Sequence, residues 1–502
     1  KTVKGYGMGG SGEGINTAHQ SKKVAEKDRQ HFRDRFDLSL TDEDLAAGKF
    51  LKPSDDSPEM KYLHERRKEL GGYIPQRKVS CPPLKAPTDE FLTKYVDASK
   101  GREVSTTMAF VDLLRRLLDD KQIGKFMVPI IPDEARTFGM EGFFTKYGIY
   151  SAVDQRYEPV DAKTLSYYRE AKDGQILEEG IAEAQAMSSF IAAGSAYANL
   201  GVPMCPFYIY YSMFGFQRVG DLIWAAADMR TRGFLVGGTA GRTTLMGEGL
   251  QHQDGHSHLA ASTVPNCVAY DPAFAYELGV IVQDGIRRMY ENGESVFYYI
   301  TVFNENYAME PMAPGSKEGI LKGMYKFRIS SLDKPKVKTK VHLLGSGSIL
   351  REAMKAQEML AAKYGVAADI WSVTSYKELR REALECERWN RLHPTEKPRK
   401  SYVETLLAKE TGIFLAVSDN MKSIPEFIQR WVPGGLTPLG TDGFGRSENR
   451  ESLRRFFEID APFVTLGALE QLGRRGDIPL TDVAKAIKDL GIDAEKPDPV
   501  SV

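Results

Sequence analysis

Three of the eight histidines in this 502-residue chain fall in one short run, Gly247-Glu248-Gly249-Leu250-Gln251-His252-Gln253-Asp254-Gly255-His256-Ser257-His258. The spacing His-x3-His-x-His can present imidazoles to a zinc ion, with an acid such as Glu248 or Asp254 as a fourth ligand or base. Three glycines interrupt the run, so the two outer histidines need not share a helix face. A flexible active-site loop suits the same residues, because an imidazole near neutrality can orient an anion or move a proton. Ordinary structural histidines are the third reading. Spacing alone leaves all three open.

A second cluster is Glu178-Glu179-Gly180-Ile181-Ala182-Glu183-Ala184. Glu183 stands among small and apolar residues, where partial burial raises a carboxyl pKa unless a donor or a charge opposes it. An exposed glutamate in a first helical turn, favoured by the helix dipole, explains the same pattern. A third cluster is Phe207-Tyr208-Ile209-Tyr210-Tyr211-Ser212-Met213-Phe214-Gly215-Phe216. Aromatics this dense at a strand end can stack on a planar ring or simply fill a core. Gly345-Ser346-Gly347 follows an apolar run as a dinucleotide turn does, but Leu350 takes the place of its third glycine. The segment 5–14 holds six glycines without a following Gly-Lys-Ser/Thr, so it is no Walker loop.

The elements that position these clusters follow from periodicity. Residues 105–118 predict a helix capped by Ser105. A short buried strand over 128–132 runs into Asp133-Glu134. A helix over 180–196, a strand over 205–211, a helix over 219–229 and strands over 233–236 and 294–302 follow. This alternation predicts a parallel sheet covered by helices. A second, smaller α/β unit begins near Lys336, with strands over 340–344, 368–373 and 413–417 and a helix over 349–364. Before residue 100 the chain is polar and broken, with helices expected over 21–36 and 59–70 and a proline-marked linker from Pro75 to Pro87.

Whole-chain properties bound the function. Length suggests about three domains at roughly 150 residues each. Apolar residues at 42% and charged residues at 27% are those of a folded chain. The net charge of -1 gives no reason to expect nucleic acid or an anionic membrane. The four cysteines are far apart, which fits a reducing cytoplasm, and no apolar run approaches the roughly 20 residues that span a bilayer. The opening Lys1-Thr2-Val3-Lys4-Gly5 reads as the end of a strand, so the sequence is expected to begin inside a longer protein.

Four blocks together resemble a known family: Tyr208 through Arg218, the histidine run, residues 129–142, and Gly440-Thr441-Asp442-Gly443-Phe444-Gly445-Arg446-Ser447. They are similar to the homodimeric bacterial pyruvate dehydrogenases, the decarboxylating first components of their multienzyme complexes. The likeness runs from Lys4-Gly5-Tyr6-Gly7 to the last helix. It implies an α/β, transketolase-like thiamine-diphosphate-binding fold. Residues 1–90 are then the end of a diphosphate domain with a mobile active-site loop and linker, 91–333 a pyrimidine-binding domain, and 334–502 a transketolase-like C-terminal domain. The family's Gly-Asp-Gly motif for magnesium and diphosphate has no counterpart in this sequence. The Mg2+ ligands and most of the diphosphate domain are therefore expected outside it, and this chain alone is expected to be inactive.

The resemblance also assigns roles. Glu183 becomes the carboxylate that hydrogen-bonds the cofactor's aminopyrimidine, and Phe214 packs on that ring with Tyr211 close by. Asp133 and Glu134 match active-site acids that face the cofactor. His252 and Glu248 match residues near the reacting carbon, which sets the zinc reading aside. His19 matches a loop histidine that helps pass the acetyl group to the lipoyl arm of dihydrolipoyl acetyltransferase. The implied activity is thiamine-diphosphate-dependent decarboxylation of pyruvate by a cytoplasmic homodimer, without nucleic acid or membrane partners. A transketolase, a zinc hydrolase built on the three histidines, and an inactive dimerising scaffold are the rivals. Pyruvate is not distinguished from longer 2-oxo acids.

Overall fold

The computed structural model describes residues 2–20, 23–73, 80–99, 101–132, 135–160 and 168–502. The chain forms two compact units, Lys1–Lys78 and Val79–Val502.

Among its described residues the first unit holds three α-helices, α1 (Glu26–Arg35), α2 (Asp42–Ala46) and α3 (Pro58–Glu69). Thr41 and Asp44 close a reciprocal capping box on α2, and Ser57 caps α3 ahead of a first-turn proline. The glycine-rich stretch folds back on itself. Gly14 N donates to Lys4 O at 3.0 Å, and Glu13 accepts from Gly7 N at 3.1 Å and from Arg35 at 2.8 Å. At Gly5, with φ of +70°, a Cβ would stand 2.4 Å from Gly12 O, so close backbone approach accounts for that glycine.

Among the described residues the second unit is built on two large sheets, beside two two-stranded ones. The larger is assembled from β1 (Met127–Ile131), β2 (Leu177–Glu178), β3 (Cys205–Tyr210), β4 (Phe234–Gly238), β5 (Cys267–Tyr270) and β6 (Phe297–Val302), in the order β2-β1-β3-β4-β6-β5. All five pairings are parallel. Alternate residues therefore feed opposite faces. Ile131, Phe207, Ile209, Phe234 and Val236 pack with α4 (Thr106–Leu118). Ile130, Tyr208, Tyr210 and Leu235 pack with α5 (Glu183–Asn199) and α6 (Phe216–Asp228). The Phe207 and Phe234 rings stack at 4.6 Å, a contact worth about 0.5–1.5 kcal/mol beyond its buried area. Both faces are covered, which is why the strands read as apolar runs. Ser105 caps α4 by accepting from Met108 N at 3.1 Å, as its position predicted.

The smaller sheet contains β7 (Met324–Arg328), β8 (Val341–Gly345), β9 (Ala368–Val373), β10 (Ile413–Val417) and β11 (Thr437–Leu439), ordered β7-β9-β8-β10-β11 with only β7 antiparallel. A buried polar seam joins the sheets. Asp271 N donates to Thr374 O at 2.8 Å, and Ser375 Oγ donates to Ala269 O at 2.6 Å. Lys377 donates to the carbonyls of Ala261 and Val264 at 2.8 Å each, and to that of Cys267. Among the described residues no helix is long and apolar enough to cross a membrane, and all four cysteines are free.

Candidate active site

Parallel strands gather their carboxyl ends along one edge, and that edge is where such sheets place ligands. The candidate residues leave from four neighbouring strand ends. Asp133 and Glu134 follow β1 but lie outside the described residues. After β2 the chain turns at Gly180, with φ of +74°, and enters α5 at Glu183. The helix starts later than its composition predicts because Gly180 is left-handed and Ala182 is not helical.

Glu183 is the first residue of α5, with 13% of its side chain exposed. Its Oε1 accepts from Arg218 Nη1 at 2.6 Å. The same guanidinium lies 3.8 Å from the centre of the Phe214 ring. Carboxylate and aromatic ring thus hold one planar cation. Burial and the neighbouring Glu183 and Glu179 push the Tyr208 hydroxyl pKa up, and Tyr208 donates to Glu183 O at 3.5 Å.

After β3 the aromatic run breaks into the short turn Ser212–Phe214. Gly215 permits it, since a Cβ there would stand 2.1 Å from the Tyr210 ring. Tyr211 immediately precedes the turn and Phe214 ends it. The His252 ring lies 4.8 Å from Tyr211 and 5.0 Å from Phe214, and Phe138 closes the group at 5.6 Å from Tyr211. His252 Nδ1 is buried without a hydrogen-bond partner among the described residues. Glu248, half-buried, precedes His252 on the same loop.

The three histidines do not converge. His256 is held by Arg242 at 3.1 Å and by Gln217, and His258 Nε2 meets Thr301 Oγ1 at 3.1 Å inside the sheet. Asp254 organises this segment. Burial alone would raise its carboxyl pKa, but hydrogen bonds from Ser212 Oγ, the backbone N–H of His256 and the Ser257 side chain hold it below the usual range, and Ser257 N also donates to it at 3.0 Å. Among the described residues the one group with metal-ligand convergence is His342, Asp369 and Glu410. There both imidazole nitrogens are engaged, by Thr411 O and Trp371 Nε1, and Lys326 sits between the two acids.

Glu183, Tyr211, Phe214 and His252 are thus brought together. His19 lies in the other compact unit, exposed on the short turn Asn16–Gln20. Sequence reasoning assigned no role to Arg218, and no helical spacing pointed to it, because Gly215 separates the turn that ends at Phe214 from the helix that carries Arg218. It also missed Gln253, which acts on backbone atoms distant in sequence.

Residues 84–310 match the family described as the pyruvate dehydrogenase E1 component middle domain, and residues 323–460 the transketolase-like C-terminal domain family. The chain is 56% identical over 501 residues to the pyruvate dehydrogenase E1 component of Pseudomonas aeruginosa. It is 50% identical over 505 residues to that of Cupriavidus necator and 50% over 501 residues to that of Escherichia coli K12. Those alignments cover 99–100% of this chain and 56% of each relative, so it spans little more than half their length. In fold it resembles transketolase from Campylobacter jejuni, with a TM-score of 0.60 and 15% identity over 93% of this chain and 61% of that one. Transketolase from Leishmania mexicana gives 0.55 and 17% over 90% and 55%.

Proposed function

This chain belongs, along its whole length, to the pyruvate dehydrogenase E1 component family, and from that premise we propose that it forms part of an enzyme that decarboxylates pyruvate and transfers the acetyl group to the lipoyl arm of dihydrolipoyl acetyltransferase. The observation that carries the reading is the planar cation held between Glu183 and Phe214. An aminopyrimidine is likewise flat and offers hydrogen-bonding edges, so the slot fits that part of thiamine diphosphate. The unpartnered Nδ1 of His252 beside the same ring fits a polar substrate there. When bound, thiamine diphosphate supplies the nucleophilic carbon and the electron sink for loss of carbon dioxide.

The residues of this chain bind, orient and move protons. Glu183 leaves Arg218 and shares a proton with a ring nitrogen of the pyrimidine. Phe214 and Tyr211 align the ring and keep water from its face. His252 donates to the carboxylate or carbonyl of pyruvate, and Glu248, Asp133 and Glu134 supply further acids of the site. His19 serves acetyl transfer to the lipoyl arm. The absence of Gly-Asp-Gly from this sequence supports placing the magnesium and diphosphate ligands on the portion of the relatives' length that the chain does not span. A cytoplasmic homodimer with composite sites completes the reading. The domain division 1–90, 91–333 and 334–502 belongs to it.

The test is carbon dioxide release from pyruvate with thiamine diphosphate and magnesium, with and without the part of the relatives' length that the chain does not span. Release only when both parts are present is expected. No release from a mixture that binds the cofactor would overturn the assignment.

A further inference from the structure

The block Gly440 through Ser447 supplies none of the candidate site residues. Its contacts lead instead to the loop that carries Glu248 and His252. We propose that Gln253 is a positioning residue through which this C-terminal-domain segment fixes the active-site loop. The inference rests on the proposed function for the role of His252.

The loop leaves β4 at Gly238 and is held at two places. At its near end, Asp419, just beyond β10, accepts four hydrogen bonds. They come from Thr243 N and Oγ1 at 2.8 Å each and from Thr244 N and Oγ1 at 2.9 and 2.5 Å. At its far end stands Gln253, 2% exposed. Its Nε2 donates to Leu245 O at 3.0 Å, drawing the two ends of the loop together. Its Oε1 accepts from Arg446 N at 2.7 Å, so the smaller-sheet domain holds the same amide. A Cβ on Gly445 would lie 2.5 Å from Leu250 O and 2.8 Å from Gln253 Oε1, so this segment lies directly on the turn Leu250–His252. Thr441 Oγ1 donates to Asp419 O at 2.8 Å and ties the two anchors together.

Between the anchors the loop has little of its own. Met246, Gly247, Leu250 and Gln251 are exposed. The turn that presents His252 is a single 3-10 turn, closed by His252 N to Gly249 O and Gln253 N to Leu250 O at 3.2 Å each. Such a turn is too short to hold one orientation unaided. Gln253 is the residue immediately after His252, and both polar ends of its amide are engaged. Loss of the amide frees the turn, and displacement of a substrate-positioning group by about 1 Å can cost about 100-fold in rate.

Gln253→Leu keeps the volume and removes both hydrogen bonds, whereas Gln253→Glu retains the acceptor for Arg446 N. Gly445→Ala presses on the same turn from the other domain. In the enzyme completed with the part of the relatives' length that the chain does not span, Gln253→Leu and Gly445→Ala are expected to lower kcat/KM for pyruvate by between about 10- and 100-fold. Gln253→Glu is expected to fall between them and the parent, and thiamine diphosphate affinity to stay within about twofold in all three. Hydrogen exchange of the amides over 246–252 is expected to quicken in Gln253→Leu while β10 is unchanged. Unchanged exchange over 246–252, or quickened exchange with unchanged kcat/KM, would overturn the role. Equal losses in pyruvate turnover and cofactor affinity would reduce Gln253 to a fold-stabilising residue and overturn it as well. A completed parent enzyme without pyruvate activity would instead remove the proposed function, and this inference with it.

Discussion

The guanidinium of Arg218 lies 3.8 Å from the centre of the Phe214 ring and donates to Glu183 at 2.6 Å, so one side chain fills the slot assigned to the pyrimidine. Nearly half of the Arg218 side chain is exposed, and an ion pair so exposed is worth at most about 1 kcal/mol. Arg218→Met therefore clears the slot and is expected to tighten thiamine diphosphate binding by up to about fivefold in a titration followed by fluorescence. Weakening of similar size would mean that Arg218 helps to hold the cofactor.

Glu183→Gln retains the shape of the side chain and removes the carboxylate proposed to share a proton with the cofactor. Decarboxylation of pyruvate is expected to fall about 100-fold or more, with the melting temperature within about 3 °C of the parent. Undiminished carbon dioxide release would end the assignment of Glu183.

His252→Ala removes the hydrogen-bond donor proposed for the substrate but leaves the Glu183 and Phe214 slot in place. A fall of about 10- to 100-fold in kcat/KM for pyruvate is expected, with cofactor affinity within about twofold. Parallel losses in both would assign His252 to packing against Tyr211 and Phe214.

His19→Ala is expected to spare decarboxylation measured with an artificial electron acceptor. Reductive acetylation of a lipoyl domain should slow by roughly 100-fold. Equal rates of lipoyl acetylation in parent and variant would discard that role.

Burial pushes the His258 imidazole pKa below its usual range, partly offset by Asp271 and Asp254. The folded state thus keeps the ring neutral while the unfolded chain takes up the proton more readily. The stabilising contribution of His258 is full above the unfolded value of about 6.5 and is lost as pH falls from there through the folded value. Loss of the Thr301 contact in His258→Gln is expected to cost about 1–3 kcal/mol at pH 8, and the gap from the parent should shrink by pH 5.5 in urea unfolding. A gap independent of pH would contradict this account.

Legibility in sequence followed the physics of each element. The strands Ala368–Val373 and Ile413–Val417 agree with the predicted bounds, because strands buried on both faces read as unbroken apolar runs. The buried strand Cys267–Tyr270 and helix Ala275–Ile286 were not predicted. Every residue of that helix is buried, so it has no polar face and no helical period to detect. The helix over Phe216–Asp228 begins ahead of its predicted start at Val219, whose φ of -129° interrupts it. Glu183 and the aromatic run were visible as local clusters, although their roles came from resemblance. Spacing left the histidine run open among three readings, because the partners that separate His256 from His258 are Arg242, Gln217 and Thr301, which no local pattern connects. Gln253 was invisible for the same reason, since it binds a backbone N–H almost two hundred residues away.

Lys377 carries one further consequence. Burial pushes its ammonium pKa below the usual range, and its donors end on the backbone carbonyls of Ala261, Val264 and Cys267. Those carbonyls belong to the larger-sheet portion, while Lys377 lies in the helix Tyr376–Leu392 that follows β9. Were the larger sheet to melt first, this cation would lose its carbonyl partners, and the seam at Asp271 and Ser375 would open with it. Heating should therefore carry both sheets of the second unit through one calorimetric transition, as a single cooperative body rather than two domains in series.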